Sequence, residues 1–447
     1  MKRLLLLVLS VVLVSLLLAA CGNQGTGAKG GGSGGSGGSG SSGGAKTVVQ
    51  FWGHVNEAWN NSHRATIEKF NASQSDIEVV PTFFPYDDFE AKIQTSLMTG
   101  GAGADIYEIW GGWGLDFVAS GALSPTPEYL IEEIIADCYD PVLGAFYNKD
   151  DGKYYGAPVE FNNEYGGMLV NKPRFEEKGI PYPKTWDEIM AVAKETSVSN
   201  GPIMEMRGLD FTTDDTLTTT FLSMILSTGG EYFVDGHFKL TTPNAEEALQ
   251  YLVDLVKVYK VTNLDSALST QGPEIDGAHF LGRDEAMMVP RGPWVISLLE
   301  EEYDKHLGVD FDYISFPFYG PTPAFPAETG WSLCVPKNTK VDAAAWTYIE
   351  YFLQKENLLQ HNIKCAQIPP LKSVATDPEY VAQLPYMEPL IGILDAGKFI
   401  GPFNTDVLKI SLRNTFASLC LDDGTFGSVA EALAVLEKQL NTDLKLG

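Results

Sequence analysis

Between Gly22 and Gly44 the chain is mostly glycine and serine with no hydrophobic period, so the residues before this tract and those after it cannot share a core. Such a segment behaves as a flexible coil with a root-mean-square reach of roughly 25–30 Å. Two catalytic-looking patterns fall inside it. Gly25-Thr26-Gly27-Ala28-Lys29-Gly30 fits G-x-G-x-x-G, and Gly31-Gly32-Ser33-Gly34-Gly35 fits G-x-S-x-G. Neither follows a strand or opens a helix, which the chemistry of each requires, so both are products of composition. Roughly 400 residues lie beyond the tract, too many for one compact core and suited to two lobes.

Ahead of the tract, Lys2 and Arg3 precede an apolar run from Leu4 to Leu18, and Leu18-Ala19-Ala20-Cys21 closes it. A charged start, an apolar run and small residues before a cut site read as a secretory signal. The cysteine directly after Leu-Ala-Ala resembles a bacterial lipobox, which implies that Cys21 is lipidated and becomes the new N-terminus. Residues 1–20 are then a signal peptide, and 21–45 the anchored cysteine and its tether. The alternative is an uncleaved membrane anchor, since the run approaches the ~20 residues a span needs. Both place the body outside the cytoplasm at a membrane.

The body is acidic. The chain carries 58 Asp and Glu against 31 Lys and Arg, a formal net charge of −27. Such a field repels nucleic acid and excludes it as a partner. Cys138, Cys334, Cys365 and Cys420 are far apart, with no C-x-x-C pair and no His/Cys cluster at zinc spacing, so neither a metal nor a cofactor is expected. An exported chain could pair them as disulfides or bury them as free thiols.

Strand and helix patterns alternate along the body. Thr47–Trp52, Ile77–Pro81 and Ala104–Trp110 read as strands, separated by helices through Phe70 and over Phe89–Thr99. That alternation predicts an α/β sheet whose ligands bind beyond the strand C-termini. Thr185 and Glu188 form a capping box. Thr242-Pro243 starts a helix whose apolar face is Ala248, Leu249, Leu252, Leu255, Val256 and Tyr259.

Several segments, taken in order, resemble the extracellular solute-binding proteins of ABC importers, in the carbohydrate-binding family 1 group of maltose-binding-protein-like chains. They are Gly101-Ala102-Gly103-Ala104-Asp105-Ile106, Tyr155-Gly156-Ala157-Pro158, Thr185-Trp186-Asp187-Glu188, Gly282-Arg283-Asp284-Glu285-Ala286-Met287-Met288 before Gly292-Pro293-Trp294, and Thr329-Gly330-Trp331-Ser332 before Val335-Pro336-Lys337. The resemblance covers nearly the whole body. It implies a two-lobed α/β fold of the periplasmic-binding-protein type (type II), with one lobe of 46–158 plus 331–368 and the other of 159–330 plus 369–447. Chain crossings near Pro158–Glu160, Phe325–Trp331 and Ile368–Leu371 would form the hinge. It further implies a monomer that captures a sugar in the cleft and delivers it to a membrane permease.

A sugar ring presents an apolar C–H face and a rim of hydroxyls, so its cleft needs aromatic rings beside planar polar side chains. The first-lobe loops offer Trp52, His54, Asn56, Trp110 and Trp113. The first crossing offers Glu160, Asn162 and Tyr165. The second lobe offers Arg291 and Trp294, the hinge Trp331, and a late Gly-Pro loop Phe403 and Asn404. Trp52 could equally be core, and Glu160 a structural hinge carboxylate. Trp59, Trp186 and Trp346 read as packing residues. Acidic pairs such as Asp87/Asp88 and Asp214/Asp215 are expected by chance in so acidic a chain, and no nucleophile–base motif lies outside the tether, so no catalytic residue is assigned. The competing functions are a receptor for a non-sugar solute such as iron, a polyamine or a phosphate ester, and a tethered glycan-active enzyme. An anion receptor would need clustered Arg and Lys, and Arg291 is the one obvious cation among these residues.

Overall fold

The computed structural model describes residues 45–99, 103–201, 203–268 and 281–446. The signal peptide, Cys21, the tether, and Gly101 and Ala102 of the third-strand motif lie outside them.

Strand β1 (Thr47–His54) feeds helix α1 (Glu57–Ser73), followed by β2 (Ile77–Phe84), α2 (Tyr86–Thr99), β3 (Ile106–Ile109) and α3 (Gly111–Ala119). β1 lies parallel to both β2 and β3, with Phe51 opposite Pro81 on one side and Ile106 on the other. Alternate residues Val49 and Phe51 are fully buried, as the two-residue strand period requires. α1 begins where Asn56 Oδ1 accepts from the Trp59 amide. Several expected bounds shift by a few residues: β1 runs on to His54, past Trp52, and β2 to Phe84, past Pro81. α2 starts at Tyr86, not Phe89, and the third strand stops at Ile109, because Trp110 takes the N-cap position of α3.

Two short strands complete this sheet, β4 (Ala157–Pro158) here and one beyond residue 330. The chain then builds a second unit around β5 (Gly167–Asn171), α4 (Trp186–Thr196), α5 (Asp214–Ser227), α6 (Pro243–Lys257), β6 (Met288–Pro290) and β7 (Phe311–Ser315). β5 pairs antiparallel with β6 and β7 on its two sides. α4 carries the capping box: Thr185 Oγ1 accepts from the Glu188 amide, and Glu188 Oε2 accepts from the Thr185 amide. α6 buries Ala248, Leu249, Leu252 and Leu255. Tyr259 falls beyond the helix end and is 38% exposed, so the apolar face is shorter than expected.

The chain returns through β8 (Ser332–Cys334), which enters the first sheet between β3 and β4, and through α7 (Asp342–Leu353) and α8 (Lys355–Lys364) beside α1. Finally α9 (Thr405–Leu421) and α10 (Val429–Asp443) pack on α5 and α6 of the second unit. Where the chain passes between units its segments run side by side. Val159 donates to the Trp331 carbonyl at 3.0 Å, and Phe161 donates to the Ile368 carbonyl at 2.8 Å. Cys138, Cys334, Cys365 and Cys420 are free thiols, the first three buried.

Candidate functional site

Trp331, on the crossing into β8, is the centre of an aromatic group and is only 7% exposed. The His54 ring at the end of β1 stacks on it, centroids 4.1 Å apart and planes within 7°. Trp110 and Trp113, at the start of α3, each lie 5.7 Å from it. Tyr86, at the start of α2, lies 6.2 Å from Trp331 and 5.3 Å from Trp113. These residues share one place because β1, β2 and β3 all end on the same edge of a parallel sheet. His54 is held from below. Its Nδ1 is 3.0 Å from Glu108 Oε2 on β3, and His63 Nε2 on α1 is 2.8 Å from Oε1. Burial alone would push Glu108 up, but the two imidazoles outweigh it and hold the carboxyl well below the usual range.

Beside the aromatic group lies a buried set of charges drawn from five segments. Lys409 of α9 is 2.8 Å from Asp215 Oδ1 of α5 and 2.8 Å from Glu328 Oε1. Arg291 contacts Asp215 Oδ2 at 3.1 Å. Asn162 donates to Glu328 Oε2. Glu164 accepts from the Gly292 amide at 3.1 Å and from Trp294 Nε1 at 2.7 Å. Glu160 accepts from the Trp331 amide at 3.2 Å. Burial opposes ionisation of every carboxylate here, and their partners decide the outcome. Lys409 and Arg291 overcome burial at Asp215 and hold it well below the usual carboxylate range. Burial, and then the negative charge of Asp215, raises Glu164 to about 7 against the pull of Arg291 and Lys409. Burial raises Glu160 to about 8, with only the Trp331 amide opposing it strongly.

The two units meet across this site. Trp113 Nε1 of α3 donates to Asp406 Oδ2 of α9 at 2.8 Å, and Asn404 Nδ2 donates to Asp116 Oδ2 at 3.0 Å. The Arg291 guanidinium lies 4.9 Å over the Trp294 ring.

Nine of the twelve expected ligand residues therefore gather in this one region: His54, Trp110, Trp113, Glu160, Asn162, Arg291, Trp294, Trp331 and Asn404. Three do not. Trp52 packs on Phe84 and Tyr107 and lines a separate groove of about 600 Å³ with Lys92 and Thr95. Asn56 caps α1. Tyr165 donates to the Pro317 carbonyl and packs against Phe316 and Phe318 in the second unit's core. Phe403 packs on Phe233 and Phe238. Sequence reasoning missed Tyr86, Glu164, Glu328, Asp406 and Lys409, and set Asp215 aside with its neighbour. No local pattern marks them, since α9 lies some 190 residues from the start of α5 in the chain.

A family model described as bacterial extracellular solute-binding protein matches residues 65–388. The chain belongs to that family. Among relatives of this solute-binding protein, the maltotriose-binding protein of Pyrococcus abyssi is 25% identical over 343 residues, spanning 74% of this chain and 68% of its own. Solved structures agree in fold. An ABC transporter solute-binding protein from Thermotoga lettingae, bound with alpha-D-tagatose, superposes with a TM-score of 0.72 at 21% identity over 89% of this chain and 100% of its own. The GacH receptor of Streptomyces glaucescens, solved unliganded and with acarbose, reaches 0.74 at 20% identity over 90% of this chain and 99% of its own. The architecture is thus the two-lobed α/β solute-binding fold.

Proposed function

We propose that this chain is the carbohydrate receptor of an ABC import system, tethered through lipidated Cys21 and the Gly/Ser tract at the outer face of the cell membrane. The observation that carries the reading is the Trp331 aromatic group beside buried planar polar side chains, at the edge where two units meet. Aromatic faces suit the C–H face of a pyranose, and Asn162, Glu164 and Arg291 supply fixed donors and acceptors for its hydroxyls. The sugars named for the Pyrococcus and Thermotoga relatives support the same class. Residues 46–158 with 331–368 form one closing body and 159–330 with 369–447 the other. The side-by-side segments at Val159, Trp331 and Ile368 act as the hinge. Trp113–Asp406 and Asn404–Asp116 bridge the closed form, which the permease reads. The receptor works as a monomer.

A tethered glycoside hydrolase would need two carboxylates free to reach the scissile bond. Glu164 is held by an amide and an indole N–H, and Asp215 by Lys409 and Arg291. Each carboxyl is fixed in place by these partners yet keeps lone pairs for a hydroxyl, which favours capture over chemistry.

Tyr86 tests the aromatic group without disturbing the core, because it is 42% exposed. Tyr86→Ala should weaken saccharide binding at least tenfold in calorimetric titration, about 1.4 kcal/mol, and move the melting temperature by no more than about 2 °C. Saccharides incubated with the wild-type protein should be recovered intact. Unchanged affinity in Tyr86→Ala would remove that face from the site, and steady product release would replace the receptor with an enzyme. Mass spectrometry of the membrane-bound protein should find an N-terminus at Cys21 carrying acyl chains; an intact Met1 end would instead support an uncleaved anchor.

A further inference from the structure

Carboxyl groups outnumber cations in this region. Its floor carries Glu160, Glu164, Asp215 and Glu328 against two cations, Lys409 and Arg291. Asp116 and Asp406 add two more carboxylates at the rim, where they accept from neutral amide and indole N–H groups. Both cations are already committed to Asp215, and Lys409 also to Glu328. Glu160 is 2% exposed, and among the described residues the Trp331 amide is its one hydrogen-bond donor. A buried carboxyl with no cation beside it among the described residues keeps its proton, and an incoming cation favours its ionised form.

Lys409 shows how this cleft holds an ammonium. Its Nζ sits between two carboxylates and 5.3 Å over the Trp110 ring. Around Trp331 a carboxyl at Glu160 and aromatic rings at Trp113 and Tyr86 recur, and among the described residues Glu160 forms no ion pair. A second observation points to oxygen on the same ligand. Trp110 Nε1 is buried and has no acceptor among the described residues, so it is a donor waiting for a hydroxyl or ring oxygen.

We propose that the ligand is an amino saccharide, whose ammonium group is held by Glu160 and the aromatic group around Trp331 while its oxygens meet Trp110 Nε1 and the polar floor. The inference rests on the carbohydrate reading above and narrows it. It also has a protonic consequence. Glu160 faces Glu164, Glu108 and Glu328 and, raised to about 8, carries its proton at neutral pH when the cleft is empty. An ammonium arriving beside it displaces that proton to the solvent.

The test is calorimetric titration of the full chain, held in a non-sugar detergent, with matched sugars. The set is glucosamine, N-acetylglucosamine and glucose, galactosamine and galactose, and the glucosamine dimer with its N-acetylated form. The expected result is at least tenfold tighter binding of the free amine in its own matched set. That advantage should shrink several-fold in Glu160→Gln. At pH 7 the amine should release close to one proton, read from the dependence of heat on buffer ionisation enthalpy. A neutral or N-acetylated sugar that binds as tightly as its amine overturns the inference and leaves the carbohydrate reading standing. Tight spermidine binding with no response to any sugar overturns both.

Discussion

Glu160→Gln should raise the melting temperature of the ligand-free protein at pH 9 and leave it unchanged near pH 4.5. The Glu160 carboxyl titrates at about 8 in the folded chain, against an ordinary value of 4.5. Below about 4.5 folded and unfolded chains both hold the proton, and Glu and Gln behave alike. Between 4.5 and about 8 the unfolded chain has lost the proton while the folded chain keeps it, so wild-type stability falls as pH rises. Above about 8 both are ionised and the full cost is present. At about 1.4 kcal/mol per pH unit the ceiling is roughly 5 kcal/mol, and opening of the cleft, which lets water reach Glu160, lowers it. Glutamine keeps the shape and the acceptor for the Trp331 amide without the charge. Scanning calorimetry from pH 4.5 to 9 measures the difference. A wild type more stable than Glu160→Gln at pH 9 would mean that Glu160 is ionised and well paired.

Lys409→Met has the opposite sign. It removes an ammonium shared by Asp215 and Glu328; Lys409 and Glu328 are buried and Asp215 is partly exposed. Asp215 keeps Arg291, whereas Glu328 keeps neutral partners such as Asn162 and is left as an uncompensated buried charge. Breaking a buried pair this way costs about 3–5 kcal/mol. The loss should appear as a lower urea midpoint at pH 7. It should shrink at acidic pH, where Glu328 takes up a proton. Adding Glu328→Gln to Lys409→Met should recover much of it, since neighbours in one network are not additive. A cost below about 1 kcal/mol would show that water screens this set as it screens surface pairs.

The legible part of this protein lies where chemistry is local in sequence. The alternation of β1 to β3 with helices, the Thr185–Glu188 box and the Thr242-Pro243 start are all set by neighbours, and the structure forms each of them. Aromatic residues at strand ends could also be read, because a parallel sheet sends them to one edge; Trp110, Trp113 and Trp331 meet there. Trp52 shows the limit. It is two residues before His54 on β1, yet His54 stacks on Trp331 while Trp52 turns to Phe84 and Tyr107. Asn56 looked like a ligand residue because asparagine serves helix caps as well as sugars, and it caps α1; Asn404 caps α9 and also reaches Asp116 beside the site. The floor network was illegible for a different reason. Asp215, Glu328 and Lys409 come together only when α5, the second crossing and α9 pack, and a solvated acidic residue looks the same in sequence as a buried one.

Carbohydrate capture is tested most directly by melting the full chain against a panel of mono-, di- and oligosaccharides, spermidine and phosphate esters. A ligand at 100 times its dissociation constant stabilises the folded state by about 2.7 kcal/mol. The expected result is a rise in melting temperature with at least one saccharide, lost in Tyr86→Ala, and none with the phosphate esters. A shift with a phosphate ester or spermidine, and with no saccharide, would contradict the assignment.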